Sequence, residues 1–383
     1  MSMFSPADKR LSRELCLIGC LGEAFLLVFS GFLLKFWPVH QVLTLAIQGS
    51  LIWLICLYRC FVMLELNRVS MNSAPYADLG WANRLSLIRA WLIAITGSFV
   101  FQPNISQNIV IFPALAYFLA AIIDRVDGYV ARISRQQSLL GEKLDTETDA
   151  LGLLLAPLLA IWLGKIHWSY LAVSLAYYLY QAGLHWRRRH HLQIHPLPKN
   201  PERRAIAGFQ MGFLAVVLWP VLTPPATAIA GFAFMLPLLA GFIIDWLSSA
   251  GTIQRGTPET ERCLSKLYYL IQYPLLPLLR LGLPMLLGLS LYQKEVFMTG
   301  FFQQPALTLV MLICVGMIVL GYAGRLSALI LTCLFAYFLW DYPVNVIDAL
   351  VLMFSIWLMQ LGTGKYSLGL WDDNWVKRYD GTS

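Results

Sequence analysis
Four aspartates crowd one short stretch of an otherwise apolar chain. It reads Asp124-Arg-Val-Asp127-Gly128-Tyr-Val-Ala131-Arg132, eight further residues, then Gly141-Glu-Lys-Leu-Asp145-Thr-Glu-Thr-Asp149. Acids of one sign repel at close range, and a divalent cation among them is the usual solution. The spacing predicts a shared site. At about 100° per residue, Asp124, Asp127, Gly128 and Ala131 fall on one helix face. Gly141, Asp145 and Asp149 form an i, i+4, i+8 stripe on the next helix. Gly128 and Ala131 are small and leave room for a ligand to approach the backbone. Hard oxygen ligands suit Mg2+ or Mn2+ better than zinc. The competing reading is a solvated acidic loop between two helices, which has no need of this spacing.

The elements that must position these acids are membrane helices. The chain has 383 residues, 58% apolar and only 13% charged, where a soluble protein carries about 25% charged residues. Apolar runs recur along its length, so the expected fold is an all-α integral membrane protein of about twelve transmembrane helices of roughly 20 residues each. They group into three blocks. A hairpin (domain 1–70) spans Leu15 to about Lys35 and Gln41 to about Met63, turning at Trp37-Pro38. A six-helix bundle (domain 78–250) has spans near 86–103, 108–132, 146–164, 168–186, 205–222 and 226–247. A four-helix bundle (domain 265–383) has spans near 268–291, 304–322, 325–341 and 345–362, after a polar linker near Ser248–Lys266. The first apolar run is too long for a cleavable signal peptide and lacks a small-residue cleavage site after it.

Charge sets the orientation. Lys9, Arg10 and Arg13 precede the first span, and Lys365, Lys377 and Arg378 follow the last. The positive-inside rule then places both termini in the cytoplasm and the acid cluster near the cytoplasmic ends of two adjacent helices. The net charge of +7 does not indicate nucleic acid, because the basic residues cluster in loops. The largest cluster, Arg187 to Arg204, reads either as a topology anchor or as a clamp for phosphates and anionic headgroups.

The pattern D-x2-D-G-x2-A-R-x8-G-x3-D-x3-D resembles the signature of the CDP-alcohol phosphotransferase family, and all eight specified positions are present. The resemblance covers roughly residues 78–250. It implies a six-helix homodimeric enzyme that moves a substituted phosphate from a CDP-linked donor to an alcohol and releases CMP. It implies that Asp124, Asp127 and Asp145 hold Mg2+ or Mn2+, as two ions, with Asp149 as fourth carboxylate and general base. Gly128, Ala131 and Gly141 would shape the nucleotide pocket, and Arg132 would steady the site or the phosphates. Upstream, Asn83-Arg-Leu-Ser86-Leu-Ile-Arg89 is similar to the family's N-x2-T-x2-R segment, with Ser for Thr. That puts Asn83 and Ser86 on the nucleotide side; helix capping is the competing reading. Arg204 and Gln210 resemble a basic-x5-Gln segment of members that make glycerophospholipids. Arg135, Arg203 and Arg204 would contact a phosphorylated acceptor such as glycerol 3-phosphate. The expected donor is CDP-diacylglycerol, the acceptor a small alcohol and the setting the bacterial inner membrane, with the site on its cytoplasmic side. CDP-choline or CDP-ethanolamine transfer to diacylglycerol uses the same signature and is not separated from it. A non-catalytic scaffold or transporter would be expected to have lost one or more of the acids.

Two further features flank this block. Leu279-Arg280-Leu-Gly282 with Gly288 and Lys294, then Gly324-Arg325-Leu, then Gly362-Thr-Gly364-Lys365-Tyr366-Ser367-Leu368 resemble the DoxX-like four-helix membrane family, departing from it at Gly369. Four packing helices without chemistry explain the same residues. Arg280 and Asp348 are intramembrane charges that need partners. In the hairpin, a turn near Pro38 would face Cys16 with Cys60 and Cys20 with Cys56, with Glu23 on the face of Cys16 and Cys20. Four thiols at one depth offer a metal or redox site, and ordinary burial of cysteine is the alternative.

Overall fold
Every element among the described residues is helical. The structure, a computed structural model, describes residues 6–134, 136–197, 201–253, 265–266, 268–294, 305–339, 342–369 and 371. Twelve α-helices run in order: α1 Pro6–Leu33, α2 Val39–Val62, α3 Gly80–Ser98, α4 Gln107–Ile133, α5 Leu139–Trp162, α6 Leu171–Arg189, α7 Pro201–Val217, α8 Ala226–Ser249, α9 Leu276–Gln293, α10 Pro305–Leu320, α11 Gly324–Phe338 and α12 Val346–Leu361. Among the described residues, five segments are long and apolar enough to cross a membrane: Arg10–Leu33, Val39–Val62, Gln107–Ile133, Ala226–Ser249 and Tyr268–Gln293. That is consistent with an integral membrane protein.

Among the described residues the helix number matches the expected twelve, but only five segments have the length and hydropathy of a membrane span, and several ends differ. α3 begins at Gly80 and α5 at Leu139, well before the expected starts near 86 and 146. Their first two turns mix polar residues such as Asn83, Arg84, Glu142 and Lys143 among the apolar ones, so hydropathy leaves them out of the span. Those are the turns that carry Asn83, Gly141 and Asp145.

The chain separates into two compact units. The first contains residues up to Lys165 together with Met211–Leu222. Within it α1 and α2 form a hairpin that breaks at Pro38, whose ψ of 152° is extended at the α2 start. Trp53 Nε1 donates to Gly19 O at 3.1 Å. Gly22 makes room for the indole, since a Cβ there would fall 2.8 Å from the ring. Leu17, Leu21 and Val28 face outward, as lipid-facing side chains do.

Helix α3 is the centre of this unit. It packs on α2, α4 and α5 and buries Leu87, Ala90, Ile93 and Ala94. A helix apolar on most sides is stable only when enclosed, and Ala90, Ala94 and Gly97 let its neighbours approach closely. After α4 a short connection turns the chain back into α5. Ser138 caps that start, its Oγ accepting from Gly141 N at 3.0 Å. The end of α4 and the beginning of α5 are thereby fixed beside the first turns of α3.

The second unit contains Ile166–Gln210 and residues from Thr223 on. There α8 packs against α6 and α12, and Trp357 Nε1 donates to Ala233 O at 3.0 Å. A π turn at Ile271–Leu275, containing Pro274, leads into α9. Helices α9, α11 and α12 pack side by side, with α10 against α11.

Candidate active site
Three helices of the first unit converge on one buried guanidinium. Helix α3 supplies Asn83, Ser86 and Arg89, α4 supplies Asp124, Asp127, Gly128, Ala131 and Arg132, and α5 supplies Gly141, Asp145 and Asp149. Arg89 is 0% exposed. Its Nη1 lies 2.8 Å from Asp124 Oδ1, 2.8 Å from Asp145 Oδ1 and 3.9 Å from Asp127 Oδ2. Its Nη2 contacts Asp149 Oδ1. Ser86 Oγ donates to Asp127 Oδ2 at 3.0 Å.

This arrangement adds a group to which the sequence had assigned no role. The sequence reading assigned the cation among the acids to a divalent metal and left Arg89 without a role. The structure puts a guanidinium among them. The signal was present in the Asn83–Ser86–Arg89 spacing, which at three-residue steps keeps Arg89 near the face of the other two.

The residues nonetheless fit a metal. Oxygens of Asp124, Asp145 and Asp149 lie within 4.8 Å of one another, the one grouping of three or more such ligands among the described residues. Four carboxylates gather on one guanidinium, so the acids outnumber the cation they share. Arg89 Nε makes no hydrogen bond among the described residues, so the guanidinium is held by charge more than by complementary geometry. An all-oxygen donor set with excess negative charge suits Mg2+ or Mn2+.

A cavity of about 340 Å3 opens beside the acids. Asn83, Ser86, Asp127, Gly128, Ala131, Arg132, Gly141 and Asp145 line it, while Asp124 and Asp149 do not. Arg132 is exposed. A Cβ on Gly128 would meet little beyond Arg132 Nη1 at 3.6 Å, so that glycine leaves open volume to the cavity. A Cβ on Gly141 would fall 2.7 Å from Asn83 Oδ1, so glycine there permits the approach of α3 to α5.

Arg203 and Arg204 belong to the second unit, where Arg203 Nε pairs with Asp245 Oδ2 at 2.9 Å. Arg135 falls outside the described residues. The four hairpin thiols do not gather. Cys16 and Cys20 are on the exposed side of α1, and Cys56 and Cys60 are buried. The buried face of α1 is built from Leu11, Leu15 and Leu26, which turns the next residue round, Cys16, outward. Glu23 instead accepts from Ser50 Oγ at 2.5 Å.

No curated protein and no solved structure matches the chain. The segment that carries Arg89 and all four acids, residues 79–253, matches the family model described as CDP-alcohol phosphatidyltransferase.

Proposed function
We propose that the protein is a membrane-embedded CDP-alcohol phosphatidyltransferase that moves a phosphatidyl group from CDP-diacylglycerol to a small alcohol and releases CMP. The observation that carries this reading is the set of acids drawn around Arg89 beside the cavity, inside the matched segment. Glycerol 3-phosphate is the acceptor proposed on the sequence alone, from the basic residues Arg135, Arg203 and Arg204. The domains at 1–70, 78–250 and 265–383, the homodimer and a cytoplasmic-facing site in a bacterial inner membrane belong to the same proposal. The DoxX-like character of residues 265–383 rests on the sequence resemblance alone.

The chain's own groups account for most of the work. Gly128, Ala131 and Gly141 leave room for the nucleotide, and Arg132 at the exposed side offers positive charge to the pyrophosphate. Ser86 orients Asp127, and Arg89 holds the acids of α4 and α5 in register. Asp149 takes the proton of the acceptor hydroxyl. The acceptor oxygen then bonds to the phosphorus bearing diacylglycerol. The bond from that phosphorus to CMP breaks, and CMP leaves with the electron pair. A divalent ion held by Asp124, Asp127, Asp145 and Asp149 would supply Lewis-acid charge to the phosphoryl oxygens and the departing CMP. Positioning of two substrates supplies much of the remaining acceleration.

The test is CMP release by purified full-length protein with CDP-diacylglycerol and Mg2+, across glycerol 3-phosphate, inositol, inositol phosphate, serine and lipid alcohols. Metal-dependent release with one acceptor, lost in Asp149→Asn, is the expected result. Release only from CDP-choline or CDP-ethanolamine would reverse donor and acceptor. No release from any pair would leave the scaffold reading.

A further inference from the structure
The connector between α2 and α3 lies before the matched segment, yet it builds one wall of the cavity. Val69 lines that cavity and is 60% exposed. Arg68 O accepts from Leu139 N at 2.9 Å, taking up one of the free N–H groups at the start of α5. Tyr76 Oη donates to Gln137 O at 3.3 Å. The connector is therefore tied to the α4–α5 turn on the cavity's own rim.

Asn67 is the pivot of the connector. It is 0% exposed. Its Nδ2 donates to Asp78 O at 2.8 Å, and its own carbonyl accepts from Tyr76 N at 2.8 Å. Its Oδ1 accepts from Asn83 Nδ2 at 3.2 Å. Asn83 Nδ2 also donates to Leu79 O at 2.8 Å and to Ser138 Oγ at 3.3 Å. A backbone carbonyl can only accept. Asp78 O thus fixes which end of the Asn67 amide faces it, and Asn67 Oδ1 and Leu79 O together fix the Asn83 amide. The consequence is that Asn83 turns its Oδ1 toward Gly141, where it accepts no hydrogen bond among the described residues. A ligand group meeting that oxygen has to be a donor. Cytosine carries an exocyclic amine at the edge where uracil carries a carbonyl.

We propose that the connector is part of the nucleotide pocket and that Asn67 is a positioning residue. It holds Asn83 with its carbonyl toward the ligand, so that the site selects a base bearing an amino group. This rests on reading the cavity as the nucleotide site of a CDP-dependent transferase. Residues outside the matched segment would then set part of the substrate preference.

The experiment measures CMP and UMP binding to the full-length protein in detergent, together with donor KM, acceptor KM and kcat. In Asn67→Ala, CMP affinity should fall about tenfold with UMP affinity unchanged. Donor KM should rise in parallel while kcat and acceptor KM stay within about twofold. Because Asn67 is buried and its variant can fail to fold, Val69→Trp provides a second arm at an exposed position. It should raise donor KM and weaken CMP binding without lowering the melting temperature. A wild type that does not prefer CMP to UMP overturns the inference. So do variants that match the wild type in nucleotide preference and donor KM, and in that case the transferase reading survives if the wild type releases CMP. A wild type that neither releases nor binds CMP overturns the transferase reading, and the inference with it.

Discussion

Asp348 and the aspartates around Arg89 are acids among apolar helices, and they are neutralised in opposite ways. Asp348 is 0% exposed and fully provided for. Lys294 Nζ lies 2.8 Å from Oδ2, Ser290 Oγ donates to Oδ1 at 2.5 Å, and the Asn345 backbone N–H donates to Oδ2 at 2.8 Å. Asn345 and Asp348 also form a reciprocal capping box at the start of α12. One positive charge meets one negative charge, and the spare lone pairs are filled. In the first unit four acids share one guanidinium. A closed account of charge and hydrogen bonds marks a structural acid. An open one, beside a cavity, marks a place where a cation and an anionic substrate belong.

The strongest way to break this comparison is to neutralise one acid in each region. Asp149→Asn should lower CMP release by about 10²–10⁴-fold, the usual worth of a general base, with the melting temperature unchanged or raised as repulsion falls. Asp348→Asn should do the reverse. Breaking a buried ion pair by removing one partner costs about 3–5 kcal/mol, and the protein that remains folded should turn over normally. Equal losses of stability in the two variants would end the distinction.

A smaller effect sharpens it. Arg89→Gln removes the shared counter-ion and should lower the melting temperature in metal-free buffer. Added Mg2+ should then raise it by more than it raises the wild type, since a ligand bound only by the folded state stabilises by mass action. If the variant responds to Mg2+ no more than the wild type, Arg89 does not stand where a cation is wanted.

How far these features could be read in advance follows from what each one depends on. The acids are legible because two helices with fixed periods place Asp124, Asp127, Asp145 and Asp149 on facing stripes. The helices are legible as apolar runs, although among the described residues only five segments have the length and hydropathy of a membrane span. Arg89 is less legible, because its importance depends on α3 lying between α4 and α5, a tertiary fact. The connector is not legible at all. Asn67 and Val69 sit in a polar stretch without periodicity, and their value comes from contacts with Asn83 and the α4–α5 turn. The thiols misled for a related reason. A hairpin can bring Cys16 level with Cys60, but the rotation of α1 about its axis is set by which leucines the core accepts.

Glu147 gives the mildest test, because it lies between Asp145 and Asp149 in the chain and still falls outside the cluster. It pairs with Arg59 of α2, where Arg59 Nε donates to Glu147 Oε2 at 2.9 Å. Their side chains are 50% and 31% exposed. Water and mobility reduce the worth of such a pair to about 0–1 kcal/mol. Arg59→Ala should therefore lower the melting temperature slightly, leave CMP release and its Mg2+ dependence as in the wild type, and become indistinguishable from wild type at high salt. The acidic residue in question belongs to the same helix as Asp145 and Asp149, and its partner is again an arginine. Only burial and charge balance differ from the Arg89 case. A large loss of turnover in Arg59→Ala would show that the electrostatics of α5 act as one unit, and that the cluster extends beyond the acids drawn around Arg89.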